Sequence, residues 1–187
     1  MYDETQDDSQ QLTGSLLLAH PHLKDPNFAS SVVLMTRHED TGSLGVVLNH
    51  STGERLGQLS SEFYECGLGH VPVYVGGPVN PNQIILAAWK LVPEKGQFQL
   101  FFGMEPVVAQ SKMQEDPDLV FRAFKGYSGW SEGQLLDELE SNAWVVVDVD
   151  AESISSKDGP DLWRHLMMEV NPELGLMSMV PDDPDSN

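Results

Sequence analysis

The apolar residues of this chain come in short runs, and that brevity limits what it can become. Leu16–Ala19 and Val145–Val147 are typical. Runs of this size are far too short to span a bilayer. They suit short strands and short helices, broken at close intervals by Gly, Pro, Asn and Asp. Leu12–Ala19 reads as a buried strand, ended by the breakers Pro21 and Pro26, with Asp25 or Asn27 opening a helical turn. Ser31–Thr36, Leu44–Leu48, Val73–Val75, Ile84–Trp89, Phe98–Phe102 and Leu119–Phe124 are further strand candidates, rich in Val, Ile and Phe. Val73–Val75 and Ile84–Trp89 read as a pair joined by a loop from Gly76 to Pro81. Thr52, Arg55, Leu56 and Leu59 suggest a short helix.

The clearest helix lies between Trp130 and Asn142. Ser131 as N-cap and Gln134 three residues on make a capping box, with Trp130 and Leu135 as its hydrophobic staple. Asn142 is a suitable stop before the apolar run Ala143–Val149. A last helix opens at Pro160 or Asp161 and repeats Leu162, Trp163, Leu166, Met167 and Val170 along one face, until Asn171-Pro172 ends it. Met177 and Met179 alternate as in a strand. Many short strands with few helices predict an α+β domain. A single domain is expected over residues 12–180, between polar, acidic tails at 1–11 and 181–187 expected to be disordered.

Charge and cysteine content narrow the partners. Lys and Arg number 10 against 29 Asp and Glu, a formal net charge of -19. Such a surface repels nucleic acid and anionic membrane, and the basic residues are scattered singly, so direct DNA binding is not expected. A single cysteine, Cys66, cannot close an intramolecular disulfide, and Glu65 beside it argues for an inert thiol. The acidic N-terminus is unlike a signal peptide, and the expected location is the cytoplasm.

Several phrases then accumulate in order: Leu12-Thr13-Gly14-Ser15-Leu16-Leu17-Leu18-Ala19, Asp25-Pro26-Asn27-Phe28, Gly45-Val46-Val47-Leu48-Asn49, Val75-Gly76-Gly77-Pro78-Val79, and Gly126-Tyr127-Ser128-Gly129-Trp130 with Gly133-Gln134-Leu135 and Asn142-Ala143-Trp144. Together they resemble the AlgH/YqgE family of bacterial proteins across nearly the whole chain between the tails. The resemblance implies a single α+β domain whose bifurcated mixed sheet folds into a pseudo-barrel with a few flanking helices. It implies an association with regulation and supplies no catalytic set or cofactor.

Chemistry-bearing patterns each have a plainer explanation. Gly126-Tyr127-Ser128-Gly129 lacks the spacing of a nucleophile elbow, although Asp148 and His165 follow Ser128 in triad order. Its glycines are expected to turn the chain tightly into the helix at Ser131. An anion at that helix start is opposed by Glu132 and Glu138, and Gly76-Gly77 belongs to no phosphate-loop or dinucleotide pattern, so no cofactor is expected. His20 with His22, or Asp148 with Asp150, could begin a metal site, but neither pair has the further ligands in diagnostic spacing, and no metal is expected. Tyr127, Trp130 and Trp144 would serve a ligand platform or a core.

Two functional expectations follow. One is a regulatory or interaction protein that acts through a protein partner and does not touch DNA or membrane. The other is a small-molecule sensor or enzyme with a pocket formed by Asn49, Gly77, Tyr127 and Trp130, residues from separate loop-adjacent phrases.

Overall fold

A computed structural model describes residues 12–92 and 97–177. The elements run β1 (Leu16–Ala19), β2 (Val32–Glu39), β3 (Gly42–Val47), β4 (Ser51–Arg55), α1 (Leu56–Leu59), α2 (Glu62–Glu65), β5 (Pro72–Val75), β6 (Val79–Val92), β7 (Gln97–Phe102), α3 (Pro106–Glu115), β8 (Val120–Ser131), α4 (Gln134–Glu140), β9 (Trp144–Val147), α5 (Ala151–Ser156), α6 (Gly159–Val170) and α7 (Pro172–Met177). The tails expected at 1–11 and 181–187, and Met179, lie outside the described residues.

The sheet is mixed and branched. Its main path runs β4-β5-β8-β3-β2-β1-β9, and β6 joins β8 while carrying β7. Among the described strands only the β5–β8 pairing is parallel; the others are antiparallel. The branch point is β8. Its first half takes both β5 and β6, and its last four residues take β3. The result is the α+β domain with a bifurcated, curled half-barrel sheet and flanking helices that the family resemblance implies.

Glycine makes the branch possible. A Cβ on Gly76 would lie 2.3 Å from the Gly126 carbonyl oxygen, and one on Gly77 2.3 Å from the Tyr127 carbonyl. Gly126 has φ 69 and faces the Gly77 and Val79 carbonyl oxygens. Three backbones meet here at distances that admit no side chain.

Packing explains the layers. On one sheet face, Leu16, Leu18, Val32, Leu34, Val46 and Trp89 bury against Ile154 of α5 and Leu162, Trp163, Leu166 and Met167 of α6. On the other, Leu17, Ala19, Val33, Met35 and Val47 bury against Trp130, Trp144 and Leu135 of α4. A third cluster joins Leu56, Leu68, Val73, Leu86 and Ala123 to Ala109 of α3.

Several expectations are corrected. The strand expected over Leu12–Ala19 begins only at Leu16, after a turn in which Gly14 has φ 84. The expected pair Val73–Val75 and Ile84–Trp89 do not pair with each other; both pair with β8. The largest correction concerns residues 126–131. They extend β8 to Ser131 and do not turn into the helix, because β3 and β6 supply ladder partners for them. The helix starts at Gln134 after Gly133 with φ 73, so Ser131 is not its N-cap. Gln134 still reaches back, its Oε1 accepting from Ser131 N at 3.0 Å. Met177 ends a helix, not a strand.

Other expectations hold. Asn142 has φ 58 and closes α4: the amides of Asn142 and Ala143 donate to Leu139 O at 3.0 Å and Glu138 O at 2.9 Å, the paired bonds of a Schellman stop. The helix expected from Pro160 or Asp161 is α6, which buries Leu162, Trp163, Leu166 and Met167 and stops at Asn171, although Val170 is exposed and the further helix α7 follows.

Candidate functional site

The four residues expected to form a pocket occupy distinct places. Asn49 is 2% exposed and its amide is engaged three times: Oδ1 accepts from Val32 N at 2.8 Å, and Nδ2 donates to Ser30 O and Gly159 O, each at 2.9 Å. It stitches the end of β3 to the start of β2 and to α6. Gly77 and Tyr127 are brought together, backbone against backbone, at the branch point. Tyr127 packs with the α5–α6 face, whereas Trp130, three residues along the same strand, belongs to the α4 face. The two rings therefore lie on opposite sides of the sheet.

Polar groups instead gather at three other places. The first surrounds Arg122 of β8, which is 4% exposed. Its guanidinium donates to Leu48 O and Ile154 O, both at 2.7 Å, and lies 4.4 Å from the Tyr74 ring centroid and 5.2 Å from that of Trp89. Tyr74 Oη donates to Asp158 at 3.0 Å. Burial holds the Arg122 guanidinium below its ordinary pKa and the Tyr74 phenol above its own. His50 sits nearby, its pKa lowered from 6.5 by burial, with a nearby Asp158 charge acting the other way. These contacts hold a cation in the core through carbonyls and aromatic faces.

The second is a cleft of about 800 Å³ between the α6–α7 corner and β9, an edge strand of the main sheet path. His20, His22, Trp144, Val170, Asn171 and Leu174 are among its walls. The rings of His20 and His22 meet edge to face at 5.1 Å, and burial followed by the His22 charge lowers the His20 pKa. Ser141 and Asn142, past the end of α4, also line it, as does Asn171, which ends α6 and whose Oδ1 accepts from Glu173 N and Leu174 N at the start of α7. No Lys or Arg is among its lining residues in the described part of the chain.

The third is a cluster of ligating side chains. Asp150, His165 and Glu169 each present a donor atom, and these atoms all lie within 4.8 Å of one another. The sequence draws attention to Asp150 and His165 separately, in unrelated patterns, and passes over Glu169. The readable signal was the His165–Glu169 spacing of four on a helix, which places both on one face. Cys66 is partly buried in the third hydrophobic cluster and donates to Phe63 O at 3.5 Å.

Among the described residues, no helix is long and apolar enough to cross a membrane. The fold has solved counterparts at low sequence identity. The crystal structure of protein DIP2367 from Corynebacterium diphtheriae superposes with TM-score 0.71 at 22% identity, covering 90% of this chain and 92% of that one. The solution structure of the AlgH protein from Pseudomonas aeruginosa gives TM-score 0.64 at 22% identity, over 92% and 95% of the two chains. At such identity they establish the architecture alone. By sequence, a UPF0301 protein of Streptomyces coelicolor is 34% identical over 186 residues, covering 94% of this chain and 95% of its own length. A UPF0301 protein of Parabacteroides distasonis is 32% identical over 187 residues, covering 96% and 93%. With the AlgH-like family matching residues 16–175 as well, this chain belongs to the AlgH-like (UPF0301) family.

Proposed function

We propose that the chain is a protein-binding module for a cationic partner and acts without contacting nucleic acid. The observation that carries this reading is that half of the ten Lys and Arg are taken up by carboxylates or by the core. Arg37, Lys90, Lys125 and Arg164 are paired with Glu39, Asp116, Glu54 and Asp161. Arg122 is buried in the core. With 29 carboxylates against 10 Lys and Arg, the outward field is anionic, which repels phosphate backbones and attracts basic segments.

The cleft beside β9 suits such a segment. Its lining mixes apolar side chains with polar groups at the ends of α4 and α6, and the anionic surface around it favours a Lys or Arg head group. Val170 is 48% exposed at its wall, and Leu176 and Met177 are exposed apolar residues near the end of α7. The partner is therefore an amphipathic segment bearing Lys or Arg on another protein.

The test compares a Lys/Leu amphipathic peptide, its Glu/Leu counterpart and duplex DNA at about 0.15 M salt. The Lys peptide binds, more weakly as salt rises, and Val170→Lys or Leu176→Lys reduces the affinity. Val107→Lys, an equal charge change at an exposed site on α3, does not. A DNA shift at that salt, or equal losses in all three variants, overturns the reading. Native mass spectrometry of the protein purified gently from its own cells would then identify the partner.

A further inference from the structure

The third polar cluster carries an inference that does not depend on the partner reading. Two of its members are fixed by a helix: His165 and Glu169 stand one turn apart on α6. The helix cannot rotate to separate them from the rest, because Leu162, Trp163, Leu166 and Met167 anchor its other face in the core. The third member arrives from a different segment. Asp150 follows β9 and caps α5, its Oδ1 accepting from Glu152 N at 3.1 Å and Ser153 N at 3.3 Å. That cap, with a further hydrogen bond from the Ser153 side chain, fixes the carboxylate beside α6. His165 Nε2 and Glu169 Oε1 are 3.5 Å apart, longer than a good hydrogen bond, with the Asp150 oxygen in reach of both.

We propose that Asp150, His165 and Glu169 form a site for a divalent transition-metal ion of the zinc class. One imidazole nitrogen and two carboxylate oxygens are a donor set for such ions, whereas Mg²⁺ and Ca²⁺ favour oxygen alone. Three protein ligands leave room for water or a further ligand. The ion would tie the β9–α5 junction to α6, so binding stabilises the fold.

The experiment uses the full-length, metal-stripped protein, titrated with Zn²⁺ by calorimetry and with Co²⁺ by visible absorption, alongside thermal unfolding. The variants are Asp150→Asn, which keeps a competent helix cap, His165→Ala and Glu169→Gln, with a His20→Ala/His22→Ala double variant as control for the other histidine pair. One equivalent of Zn²⁺ binds and raises Tm. Losing outer-shell partners weakens metal sites about 10–100-fold, so each ligand substitution weakens binding at least about tenfold. The double variant binds as the parent does. Unliganded melting curves of all variants identify any that fails to fold, and Glu169→Gln, at an exposed position, is the least disruptive of the three. Absence of Zn²⁺ binding, or Mg²⁺ binding as tightly as Zn²⁺, overturns the proposal. So does binding that survives the three ligand variants or disappears in the double variant.

Discussion

The two faces of the sheet each take in one charged side chain, and they hold it in different ways. On the α5–α6 face, Arg122 is enclosed, with two backbone carbonyls and two aromatic rings as its surroundings. On the α4 face, Glu138 sits at the margin, where Trp130 Nε1 and Trp144 Nε1 donate to its Oε2 at 2.9 and 2.7 Å, and Gln134 Nε2 to its Oε1 at 2.9 Å. The cation therefore depends on groups that water cannot replace, and the anion on groups at the edge of solvent. Burial depth, more than the number of hydrogen bonds, sets what each is worth.

That contrast can be broken by substitution. Arg122→Met should cost the most, about 3–5 kcal/mol, because two buried carbonyls lose their donors at once. Arg122→Lys should restore only part of this, since an ammonium cannot reach both carbonyls as a guanidinium fork does. Urea unfolding measures both, and a loss below about 1 kcal/mol in Arg122→Met would place Arg122 outside the structural network. Asn49→Ala, on the same face, should cost about 2–3 kcal/mol by leaving the Val32 amide and two carbonyls unpaired. An unchanged melting temperature there would instead favour a ligand-contacting role for Asn49. Glu138→Ala should cost least, about 1–2 kcal/mol, and shift the emission of Trp130 and Trp144 as their indole N–H groups turn to water. If it cost more than Arg122→Met, the ranking by depth would be wrong.

The sequence was most legible where a local rule acted without competition. Asn142 terminates α4, and the apolar stripe of α6 faces the core, because backbone bonds and periodicity within a few residues decide both. It was least legible where distant chain decided. Gly126–Trp130 reads locally as a turn, yet β3 and β6, which are remote in sequence, draw it into a strand. Helix α3 was passed over because its apolar residues do not line one face, and only Pro106 at its first turn marks it. Arg122 gave no signal at all, since a lone Arg between Phe121 and Ala123 says nothing of the carbonyls it will meet. The metal-ligand cluster was half visible, with two of its three residues noted in other patterns.

The pairing of β1 with both β2 and β9 has a consequence in time. Leu16–Ala19 finds one neighbour soon after synthesis and the other only when residues 144–147 have been made. The Trp163 indole then donates to Ala19 O across 144 residues of chain. At about 5–20 residues per second, the 125 residues from Ala19 to Trp144 take roughly 6–25 s. Through that interval the edge of the first hairpin stays open, so this domain closes only after most of its chain has left the ribosome, and its folding is exposed to strand exchange for that period.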